Sequence, residues 1–142
     1  MAEGFQSFDH PVRIDSFQPH GHLRMNAASL EVFYPETGQI EPISQVSKWS
    51  ATWHHSHIYN PDVAPLIPTG AILVLKQWYD NTSDNPNVTD PDQFVVWGSR
   101  TADEMNHAWI AVTHLDDEGF EKNKFVIKLD GGAWSEEVYV IP

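Results

Sequence analysis

AILVLKQWY, residues 71–79, decides the fold class. It is the strongest strand-length run in the chain, apolar and β-prone, with turn-forming sequence on both sides. Before it stands APLIPTG, 64–70, whose two prolines and closing glycine make a rigid approach. After it comes DNTSDNPNVTDPDQ, 80–93, a polar loop rich in oxygen donors. This loop lacks the glycine and closing glutamate of an EF-hand, so it reads as a solvated connection rather than a calcium site. Runs of the same kind recur at SLEVFY (29–34), QFVVWGS (93–99), HAWIAVT (107–113), KFVIKL (124–129) and EVYVIP (137–142). PETG, 35–38, reads as a hairpin turn after the first of them. Ten prolines and eight glycines separate the runs, and no stretch holds a helical period for long. The pattern predicts an all-β protein, a single jelly-roll-like antiparallel β-sandwich of about 8–9 strands.

Bulk properties set the range of functions. A chain of 142 residues fits one domain, 1–142, with a substantial core. Lys and Arg total 8 against 20 Asp and Glu, a net charge of -12. Nucleic acid is therefore excluded as an expected partner, because phosphate would be repelled. No apolar run approaches the roughly 18 residues of a membrane span, and MAEGFQSFDH at the start lacks the regions of a secretion signal. With no cysteine in the chain, any metal would be held by His, Met or carboxylates.

Candidate ligands come in three groups. FQPHGHLRMN, 17–26, places His20 and His22 two apart, so on a strand both would project from one face within reach of one ion. The alternative is a pair of ordinary surface polar residues. WGSRTADEMNHAWIAV, 97–112, contains Met105, which is either a core methionine or a soft thioether ligand. Two imidazoles with a thioether suit Cu(I) better than zinc or hard cations. TWHHSHIY, 52–59, holds the third group. Extended, it would set His55 and His57 on one face with Trp53 and turn His54 to the other. That pair is either a second metal cluster or an exposed histidine-rich edge. His10 and His114 have no sequence neighbours that suggest a role.

PHGHLR, then PTGAILVLKQWYDNTSDNPNVTDP, then WGSRTADEMNHAWIAV, resemble in this order the C-terminal catalytic domain of the copper type II ascorbate-dependent monooxygenases. That family includes peptidylglycine hydroxylating monooxygenase and dopamine β-monooxygenase, and the likeness is strongest to its bacterial members. It covers residues 17–113, about two thirds of the chain, leaving 114–142 as an extension with two further strand candidates. Such an extension would complete the sandwich or add a strand to a neighbour. The resemblance implies one copper per chain, held by His20, His22 and Met105, at which dioxygen is activated. It also implies a periplasmic or extracellular setting.

Three departures qualify what carries over. The family's better-known enzymes have a second domain with another copper that supplies an electron, and this chain has room for one domain. An electron-donating domain or subunit, or a soluble reductant such as ascorbate, would then be required. Asn106 stands where the animal enzymes carry a disulfide-bonded cysteine. Gln18, His107 and Trp109 stand where the peptide-amidating enzyme has the arginine, asparagine and tyrosine that hold its substrate's carboxylate. His107, two past Met105, would share its strand face as a further ligand, a pocket group or a residue without catalytic duty. The expectation is an oxygen-activating copper domain, monooxygenase-like only with a partner. The alternatives are a non-catalytic copper module and a structural subunit of a larger assembly.

Overall fold

The computed structural model describes residues 1–125 and 136–141. In chain order its strands are β1 (Ala2–Ser7), β2 (Val12–His20), β3 (Met25–Tyr34), β4 (Gln39–Val46), β5 (His57–Ile58), β6 (Leu66–Ile67), β7 (Ile72–Tyr79), β8 (His107–His114) and β9 (Glu136–Ile141), with one helix, α1 (Asp117–Phe125), before the last. One sheet has the spatial order β1-β7-β3-β4. The other runs β5-β2-β8-β9, with β6 also paired to β2. All these strand pairs are antiparallel. The expected all-β sandwich is what forms.

One apolar core joins the two sheets. Leu30, Val32, Leu73 and Leu75 from the first meet Val12, Ile14, Phe17, Ile110 and Val112 from the second, each 1% exposed or less. Strand periodicity of two sends these side chains inward and their neighbours outward. On β2 that phase changes once. Val12 and Ile14 point inward, then Phe17 and Pro19, because a bulge interrupts the β2–β8 register between Ile14 and Ser16. Asp15 sits at the bulge, where its carboxylate accepts hydrogen bonds from Arg13 Nε (2.6 Å) and Thr113 Oγ1 (2.5 Å). Beyond it Ser16, Gln18 and His20 lie opposite Ala111, Trp109 and His107, on the outer face of the sheet.

A polar side chain ties the sheets together at one end. Gln77 of β7 is fully buried, and its Nε2 donates 2.9 Å hydrogen bonds to the main-chain carbonyls of both His20 and His107. The Tyr79 hydroxyl lies 2.9 Å from both Gln77 Oε1 and Met105 O, so its single proton is shared between the amide oxygen and that carbonyl. The ends of β2 and β8 are thereby fixed to the opposite sheet at the residues that flank the candidate ligands.

The run 71–79 is β7 almost to the residue, 29–34 and 107–113 fall on β3 and β8, and 137–141 of the run 137–142 fall on β9, with 142 outside the described residues. PETG closes the β3–β4 hairpin, with Gly38 N donating to Tyr34 O at 2.8 Å and Gly38 at φ +70°. One expectation is corrected, and a second lies mostly outside the described residues. QFVVWGS, 93–99, is not a strand: Phe94 is 86% exposed, and the main chain turns back so that Glu104 N bonds Val96 O and Gly98 N bonds Glu104 O. KFVIKL, 124–129, begins as the end of α1, and its residues 126–129 lie outside the described residues. The helix starts where Asp116 Oδ1 accepts the Gly119 amide at 2.6 Å, with Asp117 and Glu118 in its first turn. β9 pairs with β8 from Ala108↔Ile141 to Thr113↔Glu136, so the C-terminal strand joins this chain's own sheet. Among the described residues no helix is long and apolar enough to cross a membrane.

Replacing Gln77 by methionine keeps the volume but leaves two main-chain carbonyls short of a donor, which should cost about 2–4 kcal/mol. Urea unfolding reads this directly. The same exchange at exposed Gln45 should stay within about 0.5 kcal/mol; equal effects at the two positions would show that the inter-sheet amide contributes nothing.

Candidate metal centre

β2 ends at His20, so the H-x-H pair does not share a strand as its spacing suggested. Gly21 and His22 enter a turn closed by Met25 N donating to His22 O at 3.0 Å. The turn needs glycine: a Cβ at position 21 would run into Met25 Sδ and lie 3.0 Å from Met25 Cβ. It still leaves the two rings together, with centroids 5.7 Å apart at 82°. Two imidazoles bound to one ion at about 2.0–2.1 Å each have centroids roughly 5–6.5 Å apart, so the spacing fits a shared ion.

His22 is oriented from the D-E-M segment. Its Nδ1 hydrogen-bonds to Asp103 O at 3.1 Å, which directs Nε2 away from that carbonyl. Asp103 is itself buried and gripped by Arg100, whose NH2 lies 2.7 Å from Oδ1. This hydrogen bond holds the Asp103 carboxyl below its ordinary pKa. Arg24 reaches Ala102 O, and Asn81 Nδ2 holds Glu104 Oε1 at 2.9 Å, so the loop before Met105 is fastened at successive residues.

His20 is the centre of the group. Around it stand His54 at 5.1 Å, His22 at 5.7 Å and His107 at 6.4 Å, with Trp109 edge-on at 4.6 Å between ring centroids. Its Nδ1 is buried and has no hydrogen-bond partner, one of few such atoms among the described residues. Burial first, then the neighbouring His54, His22 and His107, push its pKa down to about 4. His20 is therefore a neutral imidazole across the physiological range, with a nitrogen that lacks a partner. That is the state in which histidine binds metals.

The remaining expected residues fall in two separate clefts, only the first of which His20 lines. A cleft of about 500 Å³ on the outer sheet face is lined by Gln18, His20, His54, Ser56 and Trp109. A second, also about 500 Å³, is lined by Trp97, Glu104, Met105 and His107. Met105 precedes β8, is half-buried, and is located by its carbonyl on Tyr79. Among the described residues, no three His, Asp or Glu side chains converge to hold an ion. A pair of imidazoles completed by a thioether does not need such a trio.

Within TWHHSHIY only His57 and Ile58 form a strand, β5. His55 packs edge-on against Trp53 at 4.4 Å and His57 stacks on Phe17 at 6.4 Å, while His54 turns toward His20. Sequence periodicity missed His54 because it took the segment as extended. It also missed Asp103, Gln77 and Trp49, whose Nε1 donates to Pro19 O at 3.2 Å. The only signal was the density of histidine and tryptophan between 49 and 57. At the far end of the same strands His10 Nε2 and His114 Nδ1 are hydrogen-bonded, with Asp9 on His10 Nδ1 at 2.5 Å. No family model, curated protein or solved structure matches the chain.

The depressed His20 pKa sets a direction for acid stability. Between pH 6.5 and about 4 the unfolded chain takes a proton on this residue and the folded chain does not, so its contribution is full above 6.5 and lost on the way down to about 4. In urea titrations of the metal-free protein, wild type should lose stability more steeply over this window than His20→Gln. Parallel slopes would mean that His20 titrates normally in the fold.

Proposed function

We propose that this chain is a copper-binding β-sandwich module that holds one Cu(I) through His20, His22 and Met105. On this reading it is the oxygen-activating half of a monooxygenase-like system and works with a separate electron-donating domain or subunit, or with ascorbate. The observation that carries the proposal is the buried, unpartnered Nδ1 of neutral His20 beside a second imidazole at shared-ion spacing. Leaving such a nitrogen unsatisfied costs about 1–3 kcal/mol, and a bound metal removes the cost. His22, with Nδ1 engaged by Asp103 O, would offer Nε2. Met105 would add a soft sulfur, the donor type that distinguishes copper from zinc. Copper held this way supplies an open coordination position for dioxygen.

The protein's own groups would then shape what reaches the metal. Trp109 and Gln18 form the outer-face cleft beside His20, and His107 borders the cleft that Met105 lines. Neither of these clefts has a Lys or Arg in its lining, so a substrate carboxylate would find no cationic partner there. That favours a second reading, copper handling without turnover, over hydroxylation of glycine-extended peptides. The jelly-roll winding and a periplasmic or extracellular setting belong to the same proposal.

Protein purified without chelator and reloaded with copper should hold one tightly bound ion per chain, and His20→Ala and His22→Ala should each lose it. Retention of tight copper in both variants would refute the assignment. X-ray absorption of the reduced protein should show a copper–sulfur path that disappears in Met105→His, while the metal-free variant keeps nearly wild-type thermal stability. Absence of the path together with severe destabilisation would make Met105 a packing residue. With ascorbate and copper alone, the isolated protein should consume oxygen slowly and not hydroxylate glycine-extended peptides efficiently; robust coupled turnover would overturn the requirement for a partner.

A further inference from the structure

We propose that the outer face of the β1-β7-β3-β4 sheet is the contact surface of a homodimer, in which two copies of this chain pack sheet against sheet. The inference is independent of the copper reading. An antiparallel sheet with one face in water normally alternates apolar and polar residues along each strand. β7 does not: Leu73 and Leu75 point into the core, and Ile72 and Val74, which point the other way, are apolar as well. The register sets Phe5 of β1 beside Val74, Ile72 beside Phe33 of β3, and Phe33 beside Ile40 of β4. All four strands therefore give apolar side chains to one outward patch, which lines a hollow of about 360 Å³. Phe5 is 58% and Ile40 55% exposed, and Phe33 and Ile72 are half-buried. Contiguous apolar surface of this kind, edged by charged groups, marks a contact site.

Charge selects the occupant. The charged groups of the hollow are Glu3, Glu31 and Lys76, and Lys76 Nζ bonds Glu31 Oε2 at 2.7 Å. The hollow thus holds one uncompensated carboxylate, Glu3, on a chain whose net charge is -12. A basic partner would find little here to recognise, while a second copy would meet little repulsion, because most of the negative charge lies elsewhere. An isologous contact asks only that one patch face itself across a two-fold axis. Strands about 4.8 Å apart with a rise of about 3.3 Å per residue make the four-strand face roughly 20 Å by 20 Å, about 400 Å² as a flat projection. Side chains roughen that plane, so two copies bury close to the total of about 1,000 Å² at which specific interfaces begin. This size fits a weak, reversible dimer with the sheets aligned as in a sandwich. The cleft lined by His20 belongs to the other sheet, so it stays open in both copies.

Sedimentation velocity of the metal-free protein, from micromolar to near-millimolar concentration, should show monomer passing to dimer and to nothing larger. Phe5→Glu and Ile40→Glu, both at exposed positions, should each weaken association about tenfold or more, equivalent to about 1.4 kcal/mol or more, while thermal unfolding of the monomer stays near wild type. Phe94→Glu, at an exposed position outside this face, should associate as wild type does. Hydroxyl-radical footprinting needs no substitution: in the wild type, Phe5, Phe33 and Ile40 should become shielded as concentration rises, and Phe94 should not. A monomer at every concentration would overturn the proposal and leave the face to a different partner. A dimer that both glutamate variants leave intact, or that does not shield these side chains, would overturn it equally.

Discussion

The amide of Gln77 is the interaction on which the arrangement of this molecule's histidines depends. A carboxamide with no exposure to water must have its donors and acceptor satisfied, or its burial opposes folding. Here both donated hydrogen bonds go across the sandwich, to the carbonyls of His20 and His107, and the Tyr79 hydroxyl meets the oxygen. The strand ends at His20 and His107, next to His22 and Met105 in the chain, are thus held by their own main chain. The imidazoles of His20 and His107 take no part in this support. A rigid backbone beneath free donor atoms is the condition under which a metal site keeps its shape.

Strands buried by uniform apolar runs were legible in the sequence, and those shaped by polar contacts were not. AILVLKQWY and HAWIAVT carry enough β-branched and aromatic residues to declare themselves as β7 and β8. β4, QIEPISQV, is an edge strand with mostly exposed side chains and a proline, so nothing in its pattern contrasts inside with outside. β2 reads poorly because its alternation changes phase midway. QFVVWGS misled in the other direction: its apolar residues suit a strand, but the turn built by Arg100 and Asp103 takes its hydrogen bonds back to Val96 and Glu104. Among the candidate residues, His20, His22 and Met105 were singled out by motif and resemblance. His54 could not be, because its approach to His20 depends on a turn and on Trp49, neither of which has a period.

The electrostatic setting is compatible with the proposed copper site. A chain with net charge -12 concentrates cations near its surface, and neutral His20 would offer a donor without adding charge of its own. Hard cations would be drawn to the many surface carboxylates. The four rings around the end of β2 offer nitrogen instead, which separates borderline and soft metals from calcium and magnesium.

The bulge at Asp15 has a consequence for how the chain tolerates change in length. Asp15 is the extra residue: Ile14 lies opposite Val112 and Ser16 opposite the adjacent Ala111, so Phe17 and Pro19 face inward and Gln18 and His20 outward. A single-codon deletion of Asp15 would remove the bulge and leave Val12, Ile14 and Phe17 in one unbroken alternation, with every later residue still on its own face. A gain or loss of one residue between Phe17 and His20 would instead turn the imidazole inward among leucines. The position of His20 is therefore counted from Phe17, and a change of length in the loop at 80–93 leaves that count alone.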